Sequence, residues 1–157
     1  DKFKTSLSVI KSVIKSNENR SKILLDRIYQ ILNKKIKNKK ITFLGVTFKA
    51  NTDDMRDSSS LKMIPWLSKK GALIRYFDPT GYKNEFSKLK NVTNKISIKD
   101  AVQGSDLVIL HTEWNDFKSI NFKSLVKGKK FIIFDMRNLY SLKKINDQGF
   151  KYHSIGK

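Results

Sequence analysis

Four short apolar runs, each followed at once by polar residues, constrain the fold of this chain more than any other feature. They are Ile41–Leu44, Leu73–Phe77, Leu107–Leu110 and Phe131–Phe134. Each has the length of a buried strand, and the segments between them carry apolar residues at helical spacing. Strands that are apolar on both faces and alternate with helices form parallel sheets. We therefore predict an α/β fold: a Rossmann-like parallel sheet with helices on both faces.

The segments between the strands predict the helices. Their expected bounds are 59–70, 97–104, 122–126 and 141–148, and residues 150–155 are expected to form an edge strand. Ser58–Ser60 are residue types that cap helix N-termini, whereas Pro65 predicts a kink or break in the helix that follows. Residues 82–97 are polar and lysine-rich, and there we predict only a short helix around Phe86.

The first 40 residues contain neither Gly nor Pro, and their apolar residues recur at helical spacing. We predict one long helix, or two nearly continuous ones, from about Thr5 to Ile36, on the order of 45–50 Å in length. A helix of this length exceeds what a small domain can cover, so we expect it to link domains or to pack on a partner chain. The predicted division is a linker helix at 1–38 and a Rossmann-like domain at 39–157.

Charge and composition exclude several classes of function. Lys and Arg number 33 and Asp and Glu 14, a net charge of +19 that favours polyanionic partners. The lysines are spread over every segment and no nucleic-acid-reading motif accompanies them, so we expect no nucleic-acid partner. The chain has no cysteine, and its two histidines lack ligand-like spacing, so we expect no metal site. Without a signal peptide or a membrane-spanning run, a cytoplasmic protein with no membrane partner is expected.

Polar residues just after the strands predict one candidate site, because ligands bind at the carboxyl ends of strands in open α/β sheets. Lys49 and Arg137 are the strongest anion-binding candidates, since a lysine supplies a point charge and an arginine a planar fork. Phe48 can stack on a base or fill the core, and the residues by themselves favour the core. Arg56 stands among three aspartates, which indicates either a local ion-pair network with helix capping or ligand binding.

Three other residues near the strand ends have more ordinary interpretations. Asp78 has the position of a ribose-binding acid, but Thr47 and Ala50 stand where a dinucleotide fingerprint needs glycines, so no NAD site is expected on this turn. His111 is either a general base or, more commonly, a hydrogen-bonded residue at the edge of the core. Trp114 is expected at a domain or subunit contact. No catalytic residue is predicted within the chain, which we expect to bind a phosphorylated small molecule.

Several motifs in order resemble those of a known family. They are Gly45 to Ser60, Phe77 to Pro79, Thr112 to Phe117, Phe134 to Asn138, and the terminal Gly149-Phe150 with Ile155-Gly156. They are similar to successive motifs in the C-terminal, UDP-binding domain of UDP-glucose 6-dehydrogenases, over roughly residues 12 to 157. Residues 17–20 also look like that family's central helix, which joins two nucleotide-binding domains and builds a homodimer.

The resemblance implies a substrate, a cofactor and site residues. The complete enzyme would oxidise UDP-glucose to UDP-glucuronate with NAD, which is bound mainly by an N-terminal domain. Phe48 and Lys49 match positions that contact the UDP-sugar, Arg137 matches an arginine that reaches it, and Arg56 matches an arginine that contacts NAD. Met136 departs from the family, which usually has Gly there. The NAD domain, catalytic lysine and catalytic cysteine would all lie upstream of Asp1, so this chain would catalyse nothing by itself.

Two alternatives remain open at the level of sequence. Within the family, the complete protein is instead a dehydrogenase of another nucleotide sugar, such as GDP-mannose or a UDP-N-acetyl sugar. Outside it, the chain is a non-catalytic module that binds a nucleotide sugar or a nucleic acid. Binding measurements distinguish a nucleotide-sugar dehydrogenase from a nucleic-acid-binding module. The dehydrogenase prefers a nucleotide sugar, whereas the affinity of the module for nucleic acid falls steeply as the salt concentration rises.

Overall fold

The computed structural model describes residues 19–126, 128 and 130–156. The chain divides into two compact units, Asp1–Lys34 and Lys35–Lys157. In the first unit, residues 19–31 form helix α1. The predicted start of this helix near Thr5 lies outside the described residues.

Helix α1 ends earlier than the predicted Ile36. Asn33 and Lys34 have positive φ angles of 51° and 61°. The amide of Asn33 donates to the carbonyl of Gln30 (2.9 Å) and that of Lys34 to the carbonyl of Tyr29 (2.8 Å). This pair of bonds is a Schellman cap, which asparagine supports because it tolerates the left-handed conformation. Helix α1 therefore ends at this asparagine cap, before the predicted Ile36.

The second unit is built on a parallel sheet. The described strands are β1 (Lys40–Leu44), β2 (Leu73–Phe77), β3 (Val92–Asn94), β4 (Leu107–Leu110), β5 (Ile132–Asp135) and β6 (Lys151–Ser154). Their order across the sheet is β3-β2-β1-β4-β5-β6, and every pair is parallel. The helices are α2 (Ser60–Lys69), α3 (Ile98–Val102), α4 (Phe122–Leu125) and α5 (Leu142–Asn146), with 3₁₀ turns at Asn84–Phe86 and Asn115–Phe117. The predicted Rossmann-like α/β fold is confirmed.

The central strands are buried on both faces, which is why most of their residues are apolar. On one face, Leu44, Leu110 and Ile133 join a cluster that includes Phe122 of α4 and Ile145 of α5. The alternate side chains of the same strands point to the other face. Those residues, which are Ile41, Phe43, Leu107, Ile109 and Phe134, are fully buried as well. Both faces of the sheet are therefore covered.

Three details differ from the sequence-based expectations. Strand β3 lies in the polar segment for which only a short helix was expected, and it is a three-residue edge strand paired with β2 alone. Its inward packing is slight, so apolar periodicity carries no signal of it. Helix α2 continues through Pro65 without a break. Ser59 precedes α2, but its side chain makes no capping hydrogen bond because it bonds elsewhere.

Candidate functional site

The strand order places a crevice at the carboxyl ends of β1 and β4. From β1 the chain continues to β2 and β3 on one side, whereas β4 leads to β5 and β6 on the other. Loops that leave two adjacent strands in opposite directions open a crevice between them, and α/β proteins bind ligands there. Phe48, Lys49 and Arg56 follow β1, Glu113 follows β4, and Arg137 follows β5.

The turn after β1 requires a glycine. Gly45 has a φ angle of +78°, and a Cβ atom at this position would lie 2.5 Å from Cβ of Thr112. The amides of Val46 and Thr47 donate to Oδ2 of Asp78, at 2.8 and 3.3 Å. Asp78 is 2% exposed, so its carboxylate organises the turn and is not available to a ribose. These contacts give Asp78 a structural role in the turn, on which no NAD site was expected from the sequence.

Two of the three serines before α2 hold the same turn. The hydroxyls of Ser58 and Ser60 both donate to the carbonyl of Val46, at 2.7 and 2.6 Å. Both serines are buried, and their hydroxyls provide the Val46 carbonyl with the hydrogen bonds that a buried polar group needs. The serine run therefore ties the start of α2 to the end of β1, and this role replaces the side-chain capping that we expected.

A chain of hydrogen bonds runs through His111. The Thr112 hydroxyl donates to the carbonyl of Thr47 (2.9 Å), so its oxygen accepts from Nδ1 of His111 (3.0 Å). Nδ1 therefore carries the ring proton, and Nε2 accepts from the Ser59 hydroxyl (2.8 Å). Burial, assisted by the positive charge of Arg137 and opposed by Asp78, lowers the pKa of His111 to about 3. His111 is thus a neutral, buried connector between α2 and the β1 loop.

The pairing of Ser59 with His111 does not form a nucleophile with its base. A catalytic histidine takes a proton readily and is oriented by a third group that stabilises the imidazolium. His111 is 2% exposed, its pKa is strongly lowered, and its Nδ1 faces a threonine hydroxyl instead of a carboxylate. The structure therefore favours the hydrogen-bonded core-edge interpretation of His111 over that of a general base.

Arg137 is directed at the β1 loop by partners from two strands. Its Nε donates to the carbonyl of His111 (2.7 Å) and lies 2.9 Å from Oε2 of Glu113. Its Nη2 makes a long contact of 3.4 Å with the carbonyl of Phe48. The Arg137 side chain is 30% exposed. The guanidinium therefore reaches from the end of β5, past β4, to the loop after β1.

The backbone before Arg137 is fixed by the buried Asp135 carboxylate. Oδ1 of Asp135 accepts from the amide of Arg137 (2.9 Å), and Oδ2 accepts from the amide of Tyr140 (3.1 Å) and the hydroxyl of Tyr152 (2.9 Å). Burial and this carboxylate raise the pKa of Tyr152, and burial raises the pKa of Tyr140 to about 12. Both phenols therefore stay protonated and able to donate near neutral pH.

Met136, which stands in place of the family's usual glycine, does not strain the backbone. It is not among the described residues with positive φ, and its amide bonds the carbonyl of Leu110 at 3.0 Å. Its side chain is 5% exposed. A residue with a Cβ is therefore accommodated beside Arg137.

Phe48 and Lys49 lie at the surface of the loop. Phe48 is 48% exposed, so the expectation that it fills the core is wrong. Its amide bonds the carbonyl of Asp54 at 2.9 Å, which turns the loop back on itself. Lys49 is also exposed. The loop whose Phe48 carbonyl Arg137 contacts therefore also carries an exposed ring and an exposed lysine side chain.

Arg56 forms a two-pronged ion pair with its neighbour Asp54. Nε and Nη2 of Arg56 lie 3.0 Å from Oδ1 and Oδ2 of Asp54. The guanidinium hydrogen bonds keep the pKa of Asp54 below its usual value. The Arg56 side chain is 89% exposed, and it takes no part in capping α2. The local ion pair belongs to one of the two alternatives that the sequence left open, and the helix capping that went with it is not observed at α2.

Sequence reasoning missed Glu113 and misplaced Trp114. Glu113 carries no local signal of a partner, since Arg137 is 24 residues further along the chain and meets it only through the β4–β5 pairing. Trp114 is 8% exposed and belongs to the apolar cluster of this unit, so it is a core residue rather than an interface residue. Among the described residues, Nε1 of Trp114 has no hydrogen-bond acceptor.

Comparison with known proteins decides the family. A model of the UDP-glucose/GDP-mannose dehydrogenase family, UDP binding domain, matches residues 42–142. The chain belongs to this family. The match covers β1 to the start of α5, and it therefore includes the crevice and every site residue named above.

Individual curated proteins and solved structures are also similar to this chain. The UDP-glucose 6-dehydrogenase of Rickettsia felis is 34% identical over 151 residues, which are 94% of this chain and 34% of that protein. A UDP-D-ManNAc dehydrogenase from Pyrococcus horikoshii is 27% identical with a TM-score of 0.64, over 88% of this chain and 30% of that one. A UDP-glucose dehydrogenase from Pyrobaculum islandicum, 21% identical over 85% of this chain and 30% of that one, shares the fold with a TM-score of 0.70. The chain spans about a third of the length of the relatives it matches.

Neither a metal-binding cluster nor a membrane-spanning helix occurs in the part of the chain that the structure describes. Within residues 19–126 and 130–156, no group of three or more His, Cys, Asp or Glu side chains is arranged to hold a metal ion. Over the same part of the chain, no helix combines the length and the apolar character needed to cross a membrane.

Proposed function

We propose that this chain is the UDP-sugar-binding C-terminal part of an NAD-dependent UDP-glucose 6-dehydrogenase. In the complete protein it would hold UDP-glucose while the C6 alcohol is oxidised to the carboxylate of UDP-glucuronate. The observation that carries the proposal is the convergence of Arg137 with the loop that presents Phe48 and Lys49. This convergence lies at the crevice between β1 and β4, inside the region that matches the UDP-binding family model.

The three side chains suit the parts of a nucleoside diphosphate sugar. An exposed phenylalanine offers a flat apolar face for a base. A guanidinium fork pairs with phosphate oxygens through two parallel hydrogen bonds, and an ammonium group adds a mobile positive charge. None of these groups has to take up a proton to bind, so this part of the site would act by holding and orienting the substrate.

Arg56 supports the assignment of NAD as cofactor. Two NAD molecules, bound in turn, would supply the hydride acceptors for the four-electron oxidation of the alcohol to the carboxylate. An exposed guanidinium fits a phosphate group of such a cofactor, and Arg56 is available from solvent although Asp54 pairs with two of its nitrogens. We propose that Arg56 reaches NAD across the crevice while most of the NAD site is supplied by sequence outside this chain. A cytoplasmic location and a homodimer built through the N-terminal helix belong to the same proposal.

A calorimetric titration tests the substrate. The full-length protein is titrated with UDP-glucose, and with GDP-mannose, UDP-N-acetylmannosamine and a DNA duplex for comparison, at about 0.15 M salt. Preference for UDP-glucose is the expected outcome. Preference for another nucleotide sugar would move the assignment within the family, which includes the UDP-D-ManNAc dehydrogenase of P. horikoshii. Tight, salt-sensitive DNA binding without nucleotide-sugar binding would overturn it.

The same titration tests the site residues. Arg137→Ala is expected to weaken UDP-glucose binding by roughly tenfold or more, since a charge-assisted bidentate contact is lost. Arg75, a partly exposed arginine of β2 that donates to the carbonyl of Gln103, is the matched control. Equal effects of Arg137→Ala and Arg75→Ala would contradict a special role for Arg137.

A further inference from the structure

The partners of Arg137 are unevenly distributed over its guanidinium group. The Nε side faces two acceptors, the His111 carbonyl at 2.7 Å and Oε2 of Glu113 at 2.9 Å. On the other side, Nη2 has only its long contact of 3.4 Å with the Phe48 carbonyl, and Nη1 has no partner among the described residues. The two terminal nitrogens are therefore the part of the fork left for an external anion.

Glu113 is committed to this pairing. Its side chain is 40% exposed as a whole, but Oε2 is buried and has no hydrogen-bond partner by strict geometry, so the close ion pair with Arg137 is its compensation. A buried carboxylate oxygen without a cation beside it is costly. The pair therefore differs from an ordinary surface salt bridge, in which both groups remain solvated and little is gained.

The surrounding structure fixes the direction in which the Arg137 side chain points. Asp135 fixes the backbone amide of Arg137, and β4 places His111 and Glu113 on one side of the guanidinium. A long side chain that starts from a fixed point and is held at Nε can no longer sample most of its rotamers. Its terminal nitrogens then face the β1 loop before any ligand arrives, which lowers the entropy lost on binding.

We propose that Glu113 is a positioning residue that holds Arg137 ready to bind the phosphate groups of a nucleoside diphosphate sugar. This inference rests on the proposed function and adds to it a residue that touches no ligand itself. Its negative charge weakens the attraction of the site for an anion, so its contribution comes from the orientation of Arg137 and not from charge. When Glu113 is replaced, loss of the orientation of Arg137 should weaken binding of the anion, whereas loss of the negative charge alone should strengthen it.

Binding of UDP and of uridine to variants of the full-length protein separates these two effects. Glu113→Ala is expected to weaken UDP binding roughly three- to tenfold, the range for one side chain that must be ordered on binding. Uridine, which has no phosphate, is expected to bind all variants alike. Glu113→Gln keeps the size of the side chain but loses the charge that pairs with Arg137, so it should weaken UDP binding in the same direction as Glu113→Ala, and the shorter Glu113→Asp should do so as well. Glu85→Ala, at an exposed glutamate, is the matched control.

A double variant completes the test. If Glu113 acts through Arg137, then Glu113→Ala should have little further effect on UDP binding in the Arg137→Ala background. Additive losses, or unchanged or tighter UDP binding by Glu113→Ala, would overturn the inference while leaving the proposed function intact. Equal losses for UDP and uridine would also overturn it, because they would indicate damage to the fold. Failure of the unaltered protein to bind UDP at all would overturn both.

Discussion

At the scale of single residues, His111 links α2, β4 and the β1 loop while it stays neutral. The pKa of His111 is about 3 in the folded chain and near its ordinary value of 6.5 in the unfolded chain. Between these two values the unfolded chain binds more protons than the folded one. Stability is therefore lost as the pH falls below about 6.5, whereas above 6.5 the histidine makes no pH-dependent contribution.

We predict that His111→Gln flattens the pH dependence of stability. In the unaltered chain, His111 should contribute a slope of up to about 1.4 kcal/mol per pH unit between pH 6.5 and 3. Glutamine cannot titrate, so the variant should lack this slope even though it is less stable overall. Urea unfolding from pH 7 to pH 4 measures the difference, and His153→Gln measured alongside isolates the second histidine. Parallel pH profiles for the unaltered chain and His111→Gln would contradict the prediction. They would mean that His111 takes up a proton over the same pH range in the folded and the unfolded chain.

The strand-end positions of the candidate site residues were predictable from the sequence, but their contacts were not. Lys49 and Arg137 follow strand ends, and this placement is readable from the sequence. The exposure of Phe48 was not readable, because a phenylalanine beside a buried strand is more often a core residue. The partnership of Glu113 with Arg137 depends on the pairing of β4 with β5, which no local pattern reports.

At the scale of elements, the turn between β1 and the β1 loop depends on one glycine. We predict that Gly45→Ala destabilises the chain by about 2–5 kcal/mol, because a positive φ costs roughly 1–2 kcal/mol and the contact with Thr112 adds an overpacking term. Gly81→Ala is the matched control, since Gly81 has a φ angle of +83° but no described atom lies within 4 Å of the added Cβ. It should lose only about 1–2 kcal/mol.

Chemical denaturation of both glycine variants measures this difference. The difference in free energy of unfolding between them isolates the close approach of β1 to Thr112 from the shared backbone strain. Losses of the same size would show that the two strand ends separate without cost. Because Thr112 also bonds the Thr47 carbonyl, Gly45→Ala should weaken UDP binding as well, whereas Gly81→Ala should not.

Apolar patterns in the sequence predict the elements whose side chains are buried in the core of the domain. Strands β1, β2, β4 and β5 were expected within one residue of their observed ends, since each is a short apolar run between polar segments. Strand β3 was missed because edge pairing with β2, and not burial, holds its three residues. The end of α1 was missed because two positive-φ residues, an asparagine and a lysine, close it without glycine or proline.

At the scale of the whole molecule, the net charge of +19 acts on stability. Like charges repel most in the compact state, and salt screens this repulsion. Raising the salt from about 0.01 M to about 0.15 M shortens the Debye length from about 30 Å to about 8 Å. We therefore predict that stability rises with sodium chloride by on the order of 1 kcal/mol, or roughly 2–4 °C in Tm.

A charge-reduced variant provides the comparison for this prediction. Glutamate in place of the exposed Lys88, Lys99 and Lys123 changes the charge by two at each position, from 19 to 19 − 6 = +13. Its melting temperature should be less sensitive to salt than that of the unaltered chain. A melting temperature that falls with salt would instead indicate that attractive ion pairs, such as Arg137 with Glu113, outweigh the repulsion.

The order of the strands has a consequence for how the chain comes apart. Strands β1 to β3 are contiguous in sequence, as are β4 to β6, and in the sheet these two halves join only where β1 lies beside β4. Phe48, Lys49 and Arg56 belong to the first half, and Glu113 and Arg137 to the second. A nucleotide sugar that contacts residues of both halves would hold the β1–β4 pairing together. Dissociation of the nucleotide sugar and separation of the two halves of the sheet would then be coupled. Bound substrate would therefore also slow unfolding of the chain.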